Sequence, residues 1–213
     1  MKRIRILLAD DHALIVTGIK SLLEADCELV GQVADGRSLV EAALKLRPDL
    51  IILDIGMPKL NGLDAAAQIR KLWPEAKLLF LSMHANPVYL REALKVGGSG
   101  YVLKSSATEE LRTAMRKILR GGIYVASAFS RDVLDSLQTL SGRQPRSSAD
   151  LTTRQREVLQ LVAEGEGNKE IAVSLNVSVK TVEFHRGRIM RKLGVHTVAE
   201  LTQFAFRAGL VSK

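Results

Sequence analysis

The first half of the chain alternates between two spacings of apolar residues. Runs of strand length fall at Ile4–Ala9, Leu29–Ala34, Leu50–Asp54, Lys77–Leu81 and Gly100–Lys104. Between them, Leu14–Glu24, Ser38–Leu46, Leu63–Lys71, Pro87–Val96 and Thr108–Leu119 carry the spacing of amphipathic helices. Breakers separate the segments, among them Pro48, Pro74 and the cluster Gly97, Gly98, Ser99, Gly100. Five β-α repeats with near-continuous apolar strands predict a five-stranded, doubly wound parallel α/β sheet with helices on both faces. Ligands of such sheets bind at the carboxyl ends of the strands.

After Gly121 and Gly122 the pattern weakens. Ser127–Leu140 has room for a short helix, and residues 141–148 have linker composition. From Leu151 the text is helical throughout, with segments at Thr153–Ala163, Lys169–Leu175, Val179–Leu193 and Val198–Ala208. The expected division is one domain over 1–126, a partly helical linker over 127–148, and a separate all-α four-helix domain over 149–213.

Composition narrows the class. Of 213 residues, 46% are hydrophobic and 25% charged, as in ordinary globular proteins. The basic start at Lys2, Arg3 and Arg5 resembles a signal peptide, but Asp10 and Asp11 cut the following apolar run short. No stretch approaches the roughly 20 apolar residues that span a bilayer, so the expected location is the cytoplasm, away from membranes. Cys27 is the single cysteine and permits neither an internal disulfide nor a multi-thiolate metal site. The formal charge of +8 favours polyanionic partners. That excess is not confined to one half: residues 151–213 hold ten Lys/Arg against six Asp/Glu, and residues 1–126 hold eighteen against fourteen.

Where charges cluster is more telling. Asp10 and Asp11 end the first predicted strand and Asp54 ends the third, its neighbour in a doubly wound sheet. Three carboxylates at one edge repel and raise one another's pKa, and a hard divalent cation with oxygen ligands, Mg²⁺ (or Mn²⁺), relieves that repulsion. Ser82 follows the fourth strand and Lys104 closes the fifth, which adds a hydroxyl and an ammonium suited to phosphoryl oxygens. Asp54 is then a nucleophile for an acyl phosphate, with Lys104 offsetting charge during transfer. Each residue alone also reads as a turn cap or a solvated side chain. The joint occurrence at the right ends of four strands carries the inference.

These residues resemble the CheY-like receiver family over about residues 1–126. The matching text is Leu8, Ala9, Asp10, Asp11 and His12; Leu53 to Pro58 with Asn61 and Gly62; Leu81 and Ser82; and Tyr101 to Lys104. The resemblance implies a flavodoxin-like strand order, 2-1-3-4-5, and Asp54 as the phosphoacceptor. It implies a metal held by Asp10, Asp11, Asp54 and the Gly56 carbonyl. Ser82 and Tyr101 become a switch pair, the hydroxyl moving toward the phosphoryl group and the ring following it inward. Gly56 and His84, two residues past Asp54 and Ser82, stand where such receivers tune phosphoryl lifetime.

In the tail, Ala172 is small where two helices must approach. Asn176 tolerates the left-handed turn four residues later, and Ser178 can cap the next helix. A bundle with a solvated basic face is the plainer reading of any one basic helix. The text Leu151–Leu159, Asn168–Ala172 and Ser178–His185, however, resembles the LuxR-type helix-turn-helix over about 149–211. Joined to the receiver, it makes the chain similar to NarL/FixJ response regulators.

That resemblance implies a recognition helix over Val179–Leu193 and a dimerisation helix over Val198–Ala208. Lys180, Thr181, Phe184, Arg186 and Arg188 are the expected DNA contacts. Glu183 departs from relatives with a basic residue there, and Gly187 offers no side chain. The implied partners are a sensor histidine kinase, double-stranded promoter DNA, a second copy of the active chain, and RNA polymerase. The implied role is a transcription factor whose dimerisation and DNA binding follow phosphorylation of Asp54, not an enzyme with small-molecule turnover. Three alternatives stand beside it. A haloacid-dehalogenase-like phosphatase lacks its second acid at Gly56. A ligand-sensing LuxR-type regulator would not need the acidic constellation. An atypical regulator would bind DNA without phosphorylation.

Overall fold

The protein is described here from a computed structural model covering residues 3–83, 85–129, 151–208 and 210–211. It forms two compact units. In the first, β1 (Ile4–Ala9), β2 (Cys27–Val33), β3 (Leu50–Asp54), β4 (Leu78–Ser82), β5 (Gly100–Leu103) and β6 (Tyr124–Val125) form one parallel sheet in the order 2-1-3-4-5-6. The expectation of five strands is therefore corrected to six, with the order of the first five as anticipated. Two residues are too short to show a period. β6 forms because α5 (Ala107–Leu119) ends in a turn at Gly121, with φ of +88°, which returns the chain to the open edge of β5. There the Tyr124 amide donates to Ser99 at 3.1 Å and the Ala126 amide to Tyr101 at 2.8 Å.

Every residue of β3, β4 and β5 is buried, because helices cover both faces. On one face α1 (Ala13–Leu23) and α5 share a cluster with Ile6, Leu8, Ile52, Leu81 and Val102. The alternate residues Leu7, Ile51, Leu53 and Phe80 are fully buried on the other. Here lie α2 (Gly36–Leu46), α3 (Gly62–Leu72) and α4 (Pro87–Lys95). Side-chain caps start these helices: Asp35 accepts from the Arg37 and Ser38 amides, Asn61 from Asp64, and Asn86 from Val88. Cys27 opens β2 and is buried, and that burial pushes its thiol pKa up.

Among its described residues the second unit has four helices, as expected: α6 (Thr153–Ala163), α7 (Asn168–Ser174), α8 (Val179–Leu193) and α9 (Val198–Arg207). Each α6 and α9 start is a capping box, Thr152 with Gln155 and Thr197 with Glu200, and Ser178 caps α8 through the Thr181 amide at 3.1 Å. Val158, Leu161, Ile171, Ala172, Val182, Ile189, Leu201 and Ala205 build the core. The turn between α7 and α8 holds Asn176 at φ of +52°, the conformation its residue type foreshadows. An ordinary side chain is disfavoured there by about 1–2 kcal/mol. Asn176→Ala is expected to lose about 1 kcal/mol of stability and Asn176→Gly almost none; urea midpoints of the two variants check this. The expected linker helix lies outside the described residues from position 130 onward.

Candidate functional site

The carboxyl edge of the sheet brings together what the sequence separates by fifty residues. β1 and β3 are adjacent, so Asp10 and Asp54 leave their strands side by side. Lys104, the first residue of a 3-10 turn (Lys104–Ser106) after β5, reaches between them. Its Nζ lies 2.8 Å from Asp54 Oδ2 and 2.8 Å from Asp10 Oδ2, with all three side chains buried. The contact to Asp54 is a directed hydrogen bond. The contact to Asp10 is off the bonding direction, so that buried oxygen has charge compensation without a well-aligned donor.

Electrostatics follow from this crowding. Burial raises the Asp54 pKa most; Lys104 opposes it, Asp10 adds to it, and the Gly56 amide donates to the carboxylate and lowers it, leaving the value raised. For Lys104, burial acts downward, but attraction to Asp54 and Asp10 wins and the net shift is up. Asp11 is more exposed and pairs with His12, whose Nδ1 lies 2.7 Å from Asp11 Oδ1 and 3.2 Å from Asp10 Oδ1. Asp10, Asp11, His12 and Asp54 each offer a ligand atom, all within 4.8 Å of one another. In the sequence His12 closes the matching text Leu8 to His12 without a role of its own; the structure sets it among the acids.

Gly62 fixes the loop beneath this pocket. A Cβ there would stand 2.0 Å from the Asp54 carbonyl oxygen, and the Gly62 amide donates to Ile55 at 2.8 Å. Ser82 ends β4 and is buried, and its hydroxyl bonds Tyr101. The Tyr101 ring is fully buried, already inward, and its pKa is pushed up to about 12, chiefly by burial. Phe129 meets that ring edge-on at 5.5 Å. No sequence signal singles out Phe129, which stands alone at the start of Ser127–Leu140, beyond the last predicted strand. Glu110 of α5 holds the same stretch, accepting from the Tyr124 hydroxyl at 3.0 Å and from Ser127. His84 lies outside the described residues.

On α8 the structure sorts the expected contacts. Lys180, Glu183, Phe184, Gly187, Arg188 and Arg191 recur at helical spacing and are all exposed. Arg188 stacks over the Phe184 ring at 4.6 Å. Thr181 and Arg186 are half-buried and engaged within the unit: Thr181 bonds the Ser178 hydroxyl at 2.8 Å, and Arg186 binds the Asn168 side chain. Arg191 belongs to the stripe but was not among the expected contacts; its spacing from Arg188 was the available signal.

A doubly wound sheet with this pocket, on one chain with a helix-turn-helix unit, defines a response regulator with a DNA-binding output. Residues 6–116 match the response regulator receiver domain, and residues 149–205 match bacterial regulatory proteins of the luxR family. The transcriptional regulatory protein MctR of Rhizobium johnstonii is 37% identical over 99% of this chain and 97% of its own. A structure of RcsB from Salmonella enterica serovar Typhimurium, bound to promoter rprA with the phosphomimetic BeF3-, has 28% identity and a TM-score of 0.62 over 95% of this chain and 98% of its own. Another, of two RcsB dimers bound to two parallel DNAs, has 28% identity and a TM-score of 0.59 over 97% and 99%.

The chain therefore belongs to the response regulators of the NarL/FixJ family, in which a receiver is joined to a LuxR-type helix-turn-helix. This family regulates transcription and is not a family of metabolic enzymes. No helix among the described residues is long and apolar enough to cross a membrane.

Proposed function

We propose that Asp54 accepts a phosphoryl group from a sensor histidine kinase and that this modification controls dimerisation and sequence-specific promoter binding. The observation that carries the reading is the convergence of Asp10, Asp54 and Lys104 within 2.8 Å contacts at the edge of the sheet. An Asp54 carboxylate oxygen attacks the phosphorus of a phosphohistidine, the P–N bond breaks, and the kinase imidazole takes the electron pair and a proton. The Lys104 ammonium, already at Asp54, pairs with the phosphoryl oxygens as their charge develops. Asp10, Asp11, Asp54 and the Gly56 carbonyl would hold Mg²⁺ (or Mn²⁺), and an all-oxygen donor set suits that ion. The cation supplies charge neutralisation for the incoming phosphoryl group.

Ser82 both donates and accepts, so it can turn its proton to a phosphoryl oxygen while keeping Tyr101. Because the ring is already inward, phosphorylation stabilises an accessible arrangement rather than creating one. Gly56 leaves the approach to the phosphoryl group open, and His84 tunes water entry and so its lifetime. In the second unit, Lys180, Phe184 and Arg188 face the major groove, Thr181 and Arg186 support the helix-turn-helix at the same surface, and α9 joins two copies across two half-sites. RNA polymerase is the partner at the bound promoter. The domains run over 1–126 and 149–213, with the linker between.

Acetyl phosphate and Mg²⁺ provide the test. Wild type is expected to gain dimer and DNA affinity about tenfold or more, while Asp54→Asn stays at the untreated level. Identical responses of the two proteins in light scattering and mobility shift refute phosphorylation-gated binding.

A further inference from the structure

Gly187 sits in the middle of α8, more than a turn from either end, where glycine is among the least favourable helix residues. Internal helical glycines ordinarily earn their place by letting another part of the same protein approach. Here a Cβ added at Gly187 would meet nothing within 4 Å. Its backbone is helical, with no positive φ to demand glycine. The fold of this unit gives no use for the missing side chain.

Its neighbours show what does use it. Gly187 lies at the centre of the exposed stripe Lys180, Glu183, Phe184, Arg188 and Arg191, opposite the buried Val182, Ile189 and Leu193. Three cations against one acid make that face complementary to a polyanion. The Arg191 side chain folds back to donate to the Gly187 carbonyl at 3.3 Å, and Arg188 leans the other way over Phe184. The stripe thus has a bare notch with a positive rim on both sides.

We infer that Gly187 is a close-approach point for double-stranded DNA: the absent side chain lets a base edge or the deoxyribose-phosphate wall come against the α8 backbone while Phe184, Arg188 and Arg191 grip on either side. The inference rests on the reading of α8 as the groove-facing helix and goes beyond it, because it assigns recognition to a residue with no side chain. It also sets stability against binding. Adding a side chain at 187 strengthens the helix and weakens specific recognition.

The full chain, treated with acetyl phosphate and Mg²⁺, is used to enrich duplexes from a random-sequence pool. Wild type, Gly187→Ala and Gly187→Leu are then measured on an enriched duplex, on an unselected duplex of equal length, and by thermal melting. Both variants are expected to melt about 2–5 °C higher. Affinity for the enriched duplex falls about tenfold for Ala and about a hundredfold for Leu. Affinity for the unselected duplex stays within about twofold, because phosphate contacts dominate it. A variant that holds the enriched duplex as tightly as wild type overturns the inference, and so does one that melts lower, which would mean the fold itself needs the glycine. Failure of wild type to enrich any sequence overturns the groove-facing reading itself.

Discussion

Lys104→Met is expected to destabilise the receiver by about 3–5 kcal/mol at neutral pH, because it strands two buried carboxylates that now share one cation. Methionine fills the volume of the stem, so the loss reports charge rather than packing. Asp54 already titrates above its ordinary value through burial, and removing Lys104 takes away the main influence holding it down. A carboxyl with a raised folded pKa takes up its proton in the folded state first. Its ionisation therefore costs stability as pH rises through the folded pKa, and the cost is absent below the unfolded value near ~4. The deficit of Lys104→Met is accordingly largest at neutral pH and shrinks as acid is added. Mg²⁺ should stabilise the variant by re-supplying charge between Asp10 and Asp54, by linkage. Urea denaturation at several pH values, with and without Mg²⁺, checks all three statements. A variant as stable as wild type at neutral pH would show that the pair needs no ammonium.

The other large effect falls in the second unit. Ile189 is fully buried on α8 against Val182, Leu193, Leu201 and Ala205. Truncating such a side chain to alanine costs about 2–5 kcal/mol. A unit of roughly 60 residues has only about 3–9 kcal/mol in total at the usual per-residue stability. Ile189→Ala is therefore expected to leave α8 largely unfolded at 37 °C and to abolish DNA binding. Phosphoryl uptake at Asp54 should survive, since that chemistry uses the sheet edge alone. Radiolabelled acetyl phosphate follows the first unit and mobility shift the second. Wild-type DNA binding by Ile189→Ala at 37 °C would contradict the packing described for α8.

The physics behind each element decides what the sequence could reveal. β3 and β4 are buried on both faces, so each writes itself as an unbroken apolar run, and their ends carry Asp54 and Ser82 directly into the pocket. Asn176 announced its turn because few residue types accept a positive φ. β6 was illegible because its cause is the unfilled edge of β5, a tertiary demand with no local period. Phe129 and Glu110 are illegible for the same reason, since their partners Tyr101, Tyr124 and Ser127 are brought to them by the fold and by no local period. Thr181 and Arg186, which the resemblance gives as DNA contacts, are half-buried, with Thr181 bonded to the Ser178 hydroxyl and Arg186 to the Asn168 side chain. Chemical type places these residues near the surface; the cap at Ser178 and the neighbouring helix at Asn168 supply the partners that spacing alone does not show.

β6 also makes the receiver's exit a mechanical element. A pull on the chain beyond Phe129 would load the ring contact with Tyr101 first, together with the Ser127 bonds to Glu110. Only then would it peel the Ala126 amide from Tyr101 and, last, the Tyr124 amide from Ser99. These contacts lie one after another from the linker end, so tension there would open them in turn rather than together. The first residue to feel the tension is the aromatic ring whose hydroxyl rests on Ser82.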